Sequence, residues 1–120
     1  MQPKKEIIFH IPLPPSINNG YWGFKGHKRF LTKEAKSFQD HISKLVLFEK
    51  IKFGDAPLEM SITIHFPTRR KADISNRIKA IEDAFVHAGL MDDDSQINIL
   101  HIFRGEIIKG GKCLVKICAI

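Results

Sequence analysis

Leu58-Glu59-Met60-Ser61-Ile62-Thr63-Ile64-His65-Phe66 alternates without a fault. Leu58, Met60, Ile62, Ile64 and Phe66 point one way and Glu59, Ser61, Thr63 and His65 the other, which is the pattern of a strand buried on one face. It ends by delivering Pro67 and the basic run Arg69-Arg70-Lys71 to one edge of whatever sheet it joins. A one-sided strand needs neighbours beside it and helices over its apolar face. The rest of the chain offers both.

Upstream, residues 6–12 alternate as a first strand, with Ile7, Phe9 and Ile11 on one face, and stop at Pro12-Leu13-Pro14-Pro15. Periodicity is then lost over residues 16–31, which hold Asn18, Asn19, Tyr21, Trp22, Phe24, Lys25, His27, Lys28 and Arg29. A loop this long in a small domain is functional or mobile. Its rings suit stacking on bases or sugars while its cations hold phosphates; equally, the rings can plug into the core and leave the cations solvated. Both readings stand for Trp22, whereas Lys25, Lys28 and Arg29 are read as DNA contacts.

Thr32 can cap a helix running to about Lys50, with Ala35, Phe38, Ile42, Leu45 and Phe48 as its apolar stripe, destined for the core or a dimer interface. Phe53-Gly54-Asp55-Ala56-Pro57 is a turn by composition. A second helix starts between Asp73 and Ser75, buries Ile74, Ile78, Ile81, Phe85 and Ala88, and ends at Gly89. Its Ser75, Lys79 and Asp83 would stack at four-residue steps. Residues 97–103 and 112–120 read as strands joined through Lys109-Gly110-Gly111 as a hairpin. The expected fold is α+β: one small domain over residues 1–120, with about four mainly antiparallel strands and two helices on one face.

The 120 residues suit one domain, and 43% hydrophobic with 27% charged residues describes a globular chain rather than a disordered one. No stretch reaches the ~18 apolar residues of a membrane span, and Met1-Gln2-Pro3-Lys4-Lys5-Glu6 lacks a signal peptide's apolar region, so a cytoplasmic location and no membrane partner are expected. Cys113 and Cys118 sit at an odd spacing on one strand, about 16 Å apart and on opposite faces, too far to bridge. The six histidines show no metal-ligand spacing, so no zinc site is expected. A net charge of +6 favours a polyanionic partner.

The charge is concentrated where carboxylates are also placed. Asp73 interrupts a basic run at a helix entrance, and Asp92-Asp93-Asp94 return just after that helix ends. Separately, each has an ordinary explanation: Asp73 caps a helix and the triple aspartate is a solvated turn. Together they match what metal-assisted phosphodiester hydrolysis needs, oxygen ligands for Mg2+ inside a basic surface. Lys79, about one turn into the helix, is placed to meet the charge that builds on the phosphoryl group. Its ordinary role would be an intrahelical pair with Asp83.

Pro14-Pro15-Ser16-Ile17-Asn18, Asp73-Ile74-Ser75-Asn76-Arg77-Ile78-Lys79, Asp83-Ala84 and Ala88-Gly89-Leu90-Met91-Asp92-Asp93-Asp94-Ser95-Gln96 together resemble the RusA-type Holliday junction resolvases. The resemblance implies a homodimeric, Mg2+-dependent (or Mn2+-dependent) endonuclease of bacteria and their prophages, without an organic cofactor, that nicks two opposed strands of four-way junction DNA in recombination and repair. It places the family's metal aspartates on Asp73 and Asp94 with Asp93 adjacent, and its essential lysine on Lys79. The basic loop falls on Arg69, Arg70 and Lys71, with Ala72 at its last basic place, and Asn18 and Asn76 join the DNA-binding set. One position departs: where well-known members carry Asp-x-Asp-Asn, this chain has Asp73-Ile74-Ser75-Asn76. A hydroxyl is a neutral, weak ligand. Ser75 is then a tolerated ligand acting through water with Asp93 restoring charge, the mark of a weakened junction-binding protein, or an introduced substitution that traps substrate.

A four-way junction is close to two-fold symmetric, so a symmetric dimer carrying 2 × 6 = +12 is the expected partner for it, with binding that falls steeply with salt. Two rivals remain: a non-catalytic DNA-binding protein, and a metal-dependent nuclease for RNA or flaps.

Overall fold

The computed structural model describes residues 5–18 and 20–120. Residues 1–4 of the expected leaderless start, and Asn19 of the aromatic loop, lie outside the described residues. The elements follow in the order β1 Glu6–Ile11, β2 Trp22–Lys25, β3 Lys28–Leu31, α1 Lys33–Glu49, β4 Leu58–His65, α2 Ile78–His87, β5 Ile97–Arg104 and β6 Lys112–Ala119. Four strands form one sheet in the order β1-β6-β4-β5, and β2 with β3 makes a separate ribbon. This is the α+β class that the patterning predicts. No helix among the described residues is long and apolar enough to cross a membrane.

β4 is an interior strand, and its alternation is the reason. Leu58, Met60, Ile62 and Ile64 are fully buried, and β6 adds Cys113, Val115 and Ile117 beside them. One hydrophobic cluster joins this face to the buried residues of α1 and α2, with the Phe9 and Phe85 rings 5.1 Å apart. A buried side chain of this size stabilises the fold by about 1.5–3 kcal/mol, so the face is held firmly enough to carry exposed loops at its edge.

Several expectations are corrected. Pairing is mainly antiparallel, as expected, but β5 at one edge runs parallel to β4, because α2 lies between them as a crossover. β5 and β6 are not a hairpin either, since β4 sits between them. Their connection crosses the end of β4 instead, held by Gly105 N to Ile64 O (2.8 Å) and Ile108 N to Phe66 O (3.1 Å). Gly110 and Gly111 do turn there, both with positive φ (86° and 71°). The stretch over residues 16–31 is not structureless, for it contains the β2–β3 ribbon.

On α1, Thr32 caps as expected, accepting from Ala35 N at 3.1 Å. The stripe, however, runs through Ala35, Phe38, Gln39, Ile42 and Val46, and Phe48 is 81% exposed. Six residues on from Ile42, Phe48 lies about 120° round the helix and misses the core. α2 starts later than expected: a 3₁₀ turn, Ile74–Arg77, precedes it. That tighter winding takes Ser75 off the four-residue repeat of Lys79 and Asp83.

Candidate active site

The basic loop after β4 opens onto a cleft of about 550 Å³ lined by Phe66, Thr68, Arg70, Lys71, Asp73, Asn76 and Arg77 among others. Two arginines fix its floor. Arg77 donates to the Pro14 carbonyl, and Arg104 donates to the Ala72 carbonyl at 2.6 Å. Their guanidinium carbons stand 5.6 and 5.0 Å from the centre of the Phe66 ring. Burial pulls the Arg77 pKa below its ordinary value, and burial likewise pushes the neighbouring Cys113 thiol up to about 12. Ile17 N donates to Asn76 O at 2.9 Å, so the Pro-rich segment and Asn18 are tied to the same rim. Arg69 is exposed beside it.

Asp73 stands at the entrance to the 3₁₀ turn in extended conformation, yet its side chain makes no capping hydrogen bond. The ordinary structural explanation for this carboxylate is therefore not realised. It is exposed to solvent at the wall of the basic cleft.

One turn further along, Lys79 lies between two carboxylates. Its Nζ is 3.0 Å from Asp83 Oδ1 and 3.3 Å from Asp94 Oδ2. Asp83 is itself held from behind: the Tyr21 hydroxyl donates to Asp83 Oδ2 at 2.7 Å, and Tyr21 is 1% exposed. The hydrogen bond that Lys79 donates to Asp83 leads in raising the Lys79 pKa, against a smaller burial effect, so the ammonium keeps its proton. Burial, then the Asp83 hydrogen bond, raise the Tyr21 hydroxyl well above its ordinary value. Burial, then the Asp94 charge, raise Glu82. Tyr21, Lys79, Asp83 and Asp94, with Trp22, Leu31 and Asp93, line a second cleft of about 460 Å³.

Asp94 is presented by its neighbours. Asp93 caps the 3₁₀ turn Asp94–Gln96, accepting from Ser95 N (3.0 Å) and from the Ser95 hydroxyl, which hold its carboxyl below the ordinary range. Gln96 returns the bond, its Oε1 accepting from Asp92 N and Asp93 N at 2.9 Å. Its amide donates to the Gly54 and Ala56 carbonyls at 2.8 and 2.7 Å. This reciprocal box fixes the acidic turn against the loop before β4.

The structure thus brings Lys79 to Asp94 as well as to Asp83, while Asp73 lines the other cleft with the basic loop. Among the described residues no group of three or more His, Cys, Asp or Glu converges to hold a metal ion. The donors present are carboxylates and hydroxyls open to solvent, and Mg2+ needs only one or two protein carboxylates when water and phosphate fill its other positions. Asp73 and Asp94 each offer an oxygen donor of that kind, from separate clefts. Tyr21, Asp83 and Glu82 are the residues that sequence reasoning undervalued. The Lys79–Asp83 spacing pointed to the second; nothing in spacing points to Tyr21, 62 residues from its partner.

Lys79 is thus held between Asp83 and Asp94 at one cleft, and the exposed Asp73 stands with the basic loop at the other. Comparison with known proteins supplies the family. A model of the family described as endodeoxyribonuclease RusA matches residues 12–117, and the chain belongs to that family. It is 27% identical over 113 residues to the crossover junction endodeoxyribonuclease rusA of Enterobacteria phage HK97, covering 93% of each chain. It is 30% identical over 106 residues to the protein of that name from Enterobacteria phage 82, covering 87% of this chain and 88% of that one. The Shigella sonnei (strain Ss046) crossover junction endodeoxyribonuclease RusA is 30% identical over 103 residues, 85% of each.

Proposed function

We propose that this chain is a crossover junction endodeoxyribonuclease, which resolves four-way DNA junctions by paired phosphodiester hydrolysis with Mg2+ or Mn2+. The observation that carries the reading is the Lys79 ammonium held at 3.0 and 3.3 Å between Asp83 and Asp94, on the scaffold of a family whose members bear that activity in their names. Asp73 and Asp94 are the metal carboxylates in this reading, with Asp93 and Ser75 beside them. When bound, the ion polarises a phosphoryl oxygen and lowers the pKa of an attacking water.

The chain's own residues do the rest. Lys79 keeps its proton, so it acts as a fixed positive charge and not as a base. An entering phosphate competes with Asp94 for that ammonium, and the charge that grows on the phosphoryl oxygens strengthens the contact. Arg69, Arg70, Lys71 and Asn76 hold the backbone at the first cleft, and Asn18, Lys25, Lys28 and Arg29 extend the contact. Ser75 supplies a hydroxyl where a further carboxylate would add charge; with Asp73 and Asp94 retained, we read the chain as active. Two copies related by a two-fold axis match the junction and make the paired cuts.

The test is cleavage of a labelled synthetic four-way junction by the parent, Ser75→Asp and Asp94→Asn, with Mg2+ or Mn2+ and with duplex, flap and RNA competitors. Paired symmetric nicks are expected from the parent, with a loss of about 100-fold or more in Asp94→Asn and junction binding retained. Cutting by Ser75→Asp alone would make this chain a binding scaffold. Cutting by none of the three, on any substrate, would end the hydrolytic reading.

A further inference from the structure

The β2–β3 ribbon takes no part in the hydrolytic chemistry above, and its side chains are not those of an ordinary surface turn. Phe24 is 72% exposed. Arg29 opposes it on the same face, Lys25 and Lys28 pair next to it at the tip on the other face, and no acidic residue occurs from Trp22 to Lys33. The pairs Trp22↔Leu31 and Phe24↔Arg29 put these four side chains on one face of the ribbon, since directly opposed residues share a face. At the base of that face Trp22 and Leu31 turn in to line the Asp94 cleft, and Arg29 lies 3.9 Å over the Trp22 ring. Phe24 is the next residue on the same face toward the tip. Phe30, also exposed, is accounted for differently: its ring covers Gly23 so closely that a Cβ there would come within 2.4 Å of it.

The ribbon is also fixed relative to the reacting groups. Tyr21, just before β2, is buried with its hydroxyl on Asp83, and Thr32, just after β3, donates its N–H to Tyr21 O at 3.1 Å. Both ends are therefore pinned beside Lys79. Three residues of strand carry Phe24 about 10 Å from Tyr21, a span of about three base steps along one strand.

We propose that the β2–β3 ribbon is the element that reads the branch point, with Phe24 lodged against a base at the strand exchange while Lys25, Lys28 and Arg29 hold the diverging phosphates. In the open form of a four-way junction each base pair at the branch has one face without a stacked neighbour. A ring placed there meets a base that is already partly unstacked, and every base offers a π-face, so the contact selects shape and not sequence. This inference rests on the junction-nuclease reading above and adds the residue that tells a junction from a duplex.

The test uses the full chain and a four-way junction carrying 2-aminopurine at the branch, without divalent metal so that no strand is cut. Fluorescence and affinity are measured against a duplex of the same arm sequence. The parent is expected to prefer the junction and to raise the emission several-fold. Phe24→Ala should abolish the rise and weaken junction binding about 10-fold while duplex binding and thermal melting stay as in the parent; Phe24→Trp should restore both signals. Emission and junction preference unchanged in Phe24→Ala would overturn the inference and leave the nuclease reading standing. A parent without junction preference would overturn both. A change of sedimentation state in Phe24→Ala, with the DNA signals intact, would assign Phe24 to a contact between copies and overturn it as well.

Discussion

Glu82 shows how much of this site lies in environment and not in residue type. In sequence it is one more acid on a polar helix; in the fold, burial first and then the Asp94 and Asp83 charges raise its pKa, with Lys79 opposing. A raised pKa means that the folded state binds the proton more tightly than the unfolded one. Above the folded pKa the ionised carboxylate is therefore a net cost to folding. As pH falls through that value the folded state takes up the proton first, and the cost disappears. Glu82→Gln should accordingly raise the melting temperature at pH 7–8, with the gap over the parent closing as pH drops toward the ordinary glutamate value of about 4.3. A gap independent of pH would mean that Glu82 feels neither burial nor Asp94. Tyr21 carries the same lesson: its type and its loop offered both a core and a stacking role, and only the distant Asp83 decides that it is a buried anchor.

Elements were legible where one period governed them. The alternation of β4 and the Thr32 cap with the first part of the α1 stripe, Ala35, Phe38 and Ile42, come directly from pattern, because burial on one face imposes it. What pattern does not encode is which strand lies beside which. The β5–β6 stretch reads as a hairpin because its glycines turn, yet the chain crosses over the end of β4. The β2–β3 ribbon went unseen for another reason: its strands have four residues each, too few to establish a period, and its Gly26-His27 turn lacks the usual hairpin pair. The crossover makes its own prediction. Gly105 lies so close to β4 that a Cβ there would stand 2.4 Å from the His65 ring and 2.9 Å from the Thr63 methyl. His65 is held in turn by its Nδ1 contact with Glu106 O at 2.8 Å. Gly105→Ala should thus destabilise the fold by about 1–3 kcal/mol, seen as a lower urea midpoint with an unchanged slope. An unchanged midpoint would mean that the crossover is loosely laid over the sheet.

For the molecule as a whole, the net charge and its two basic stretches, Lys25 to Arg29 and Arg69 to Lys71, were legible, and the placement of each stretch beside its own cleft was not. The +6 balance points to a polyanion. Two clusters of cations stand apart in the fold, Arg70 and Lys71 with Asp73 at the first cleft, and Lys25, Lys28 and Arg29 on the β2–β3 ribbon, whose base lines the Asp94 cleft. Counterion release makes the two clusters separable by experiment, because each phosphate neutralised contributes about 0.9 to the slope of log affinity against log salt on duplex DNA. An Arg70→Gln, Lys71→Gln double variant should reduce that slope by about 2 per chain. Its affinity for junction and duplex should fall together, since phosphate contacts position the protein without carrying recognition. Phe24→Ala, by contrast, should leave the slope alone and remove only the junction preference. Titrations over a series of salt concentrations measure both variants. A double variant with the parent's slope would mean that Arg70 and Lys71 face no phosphate, and the backbone path would then have to avoid the Asp73 cleft.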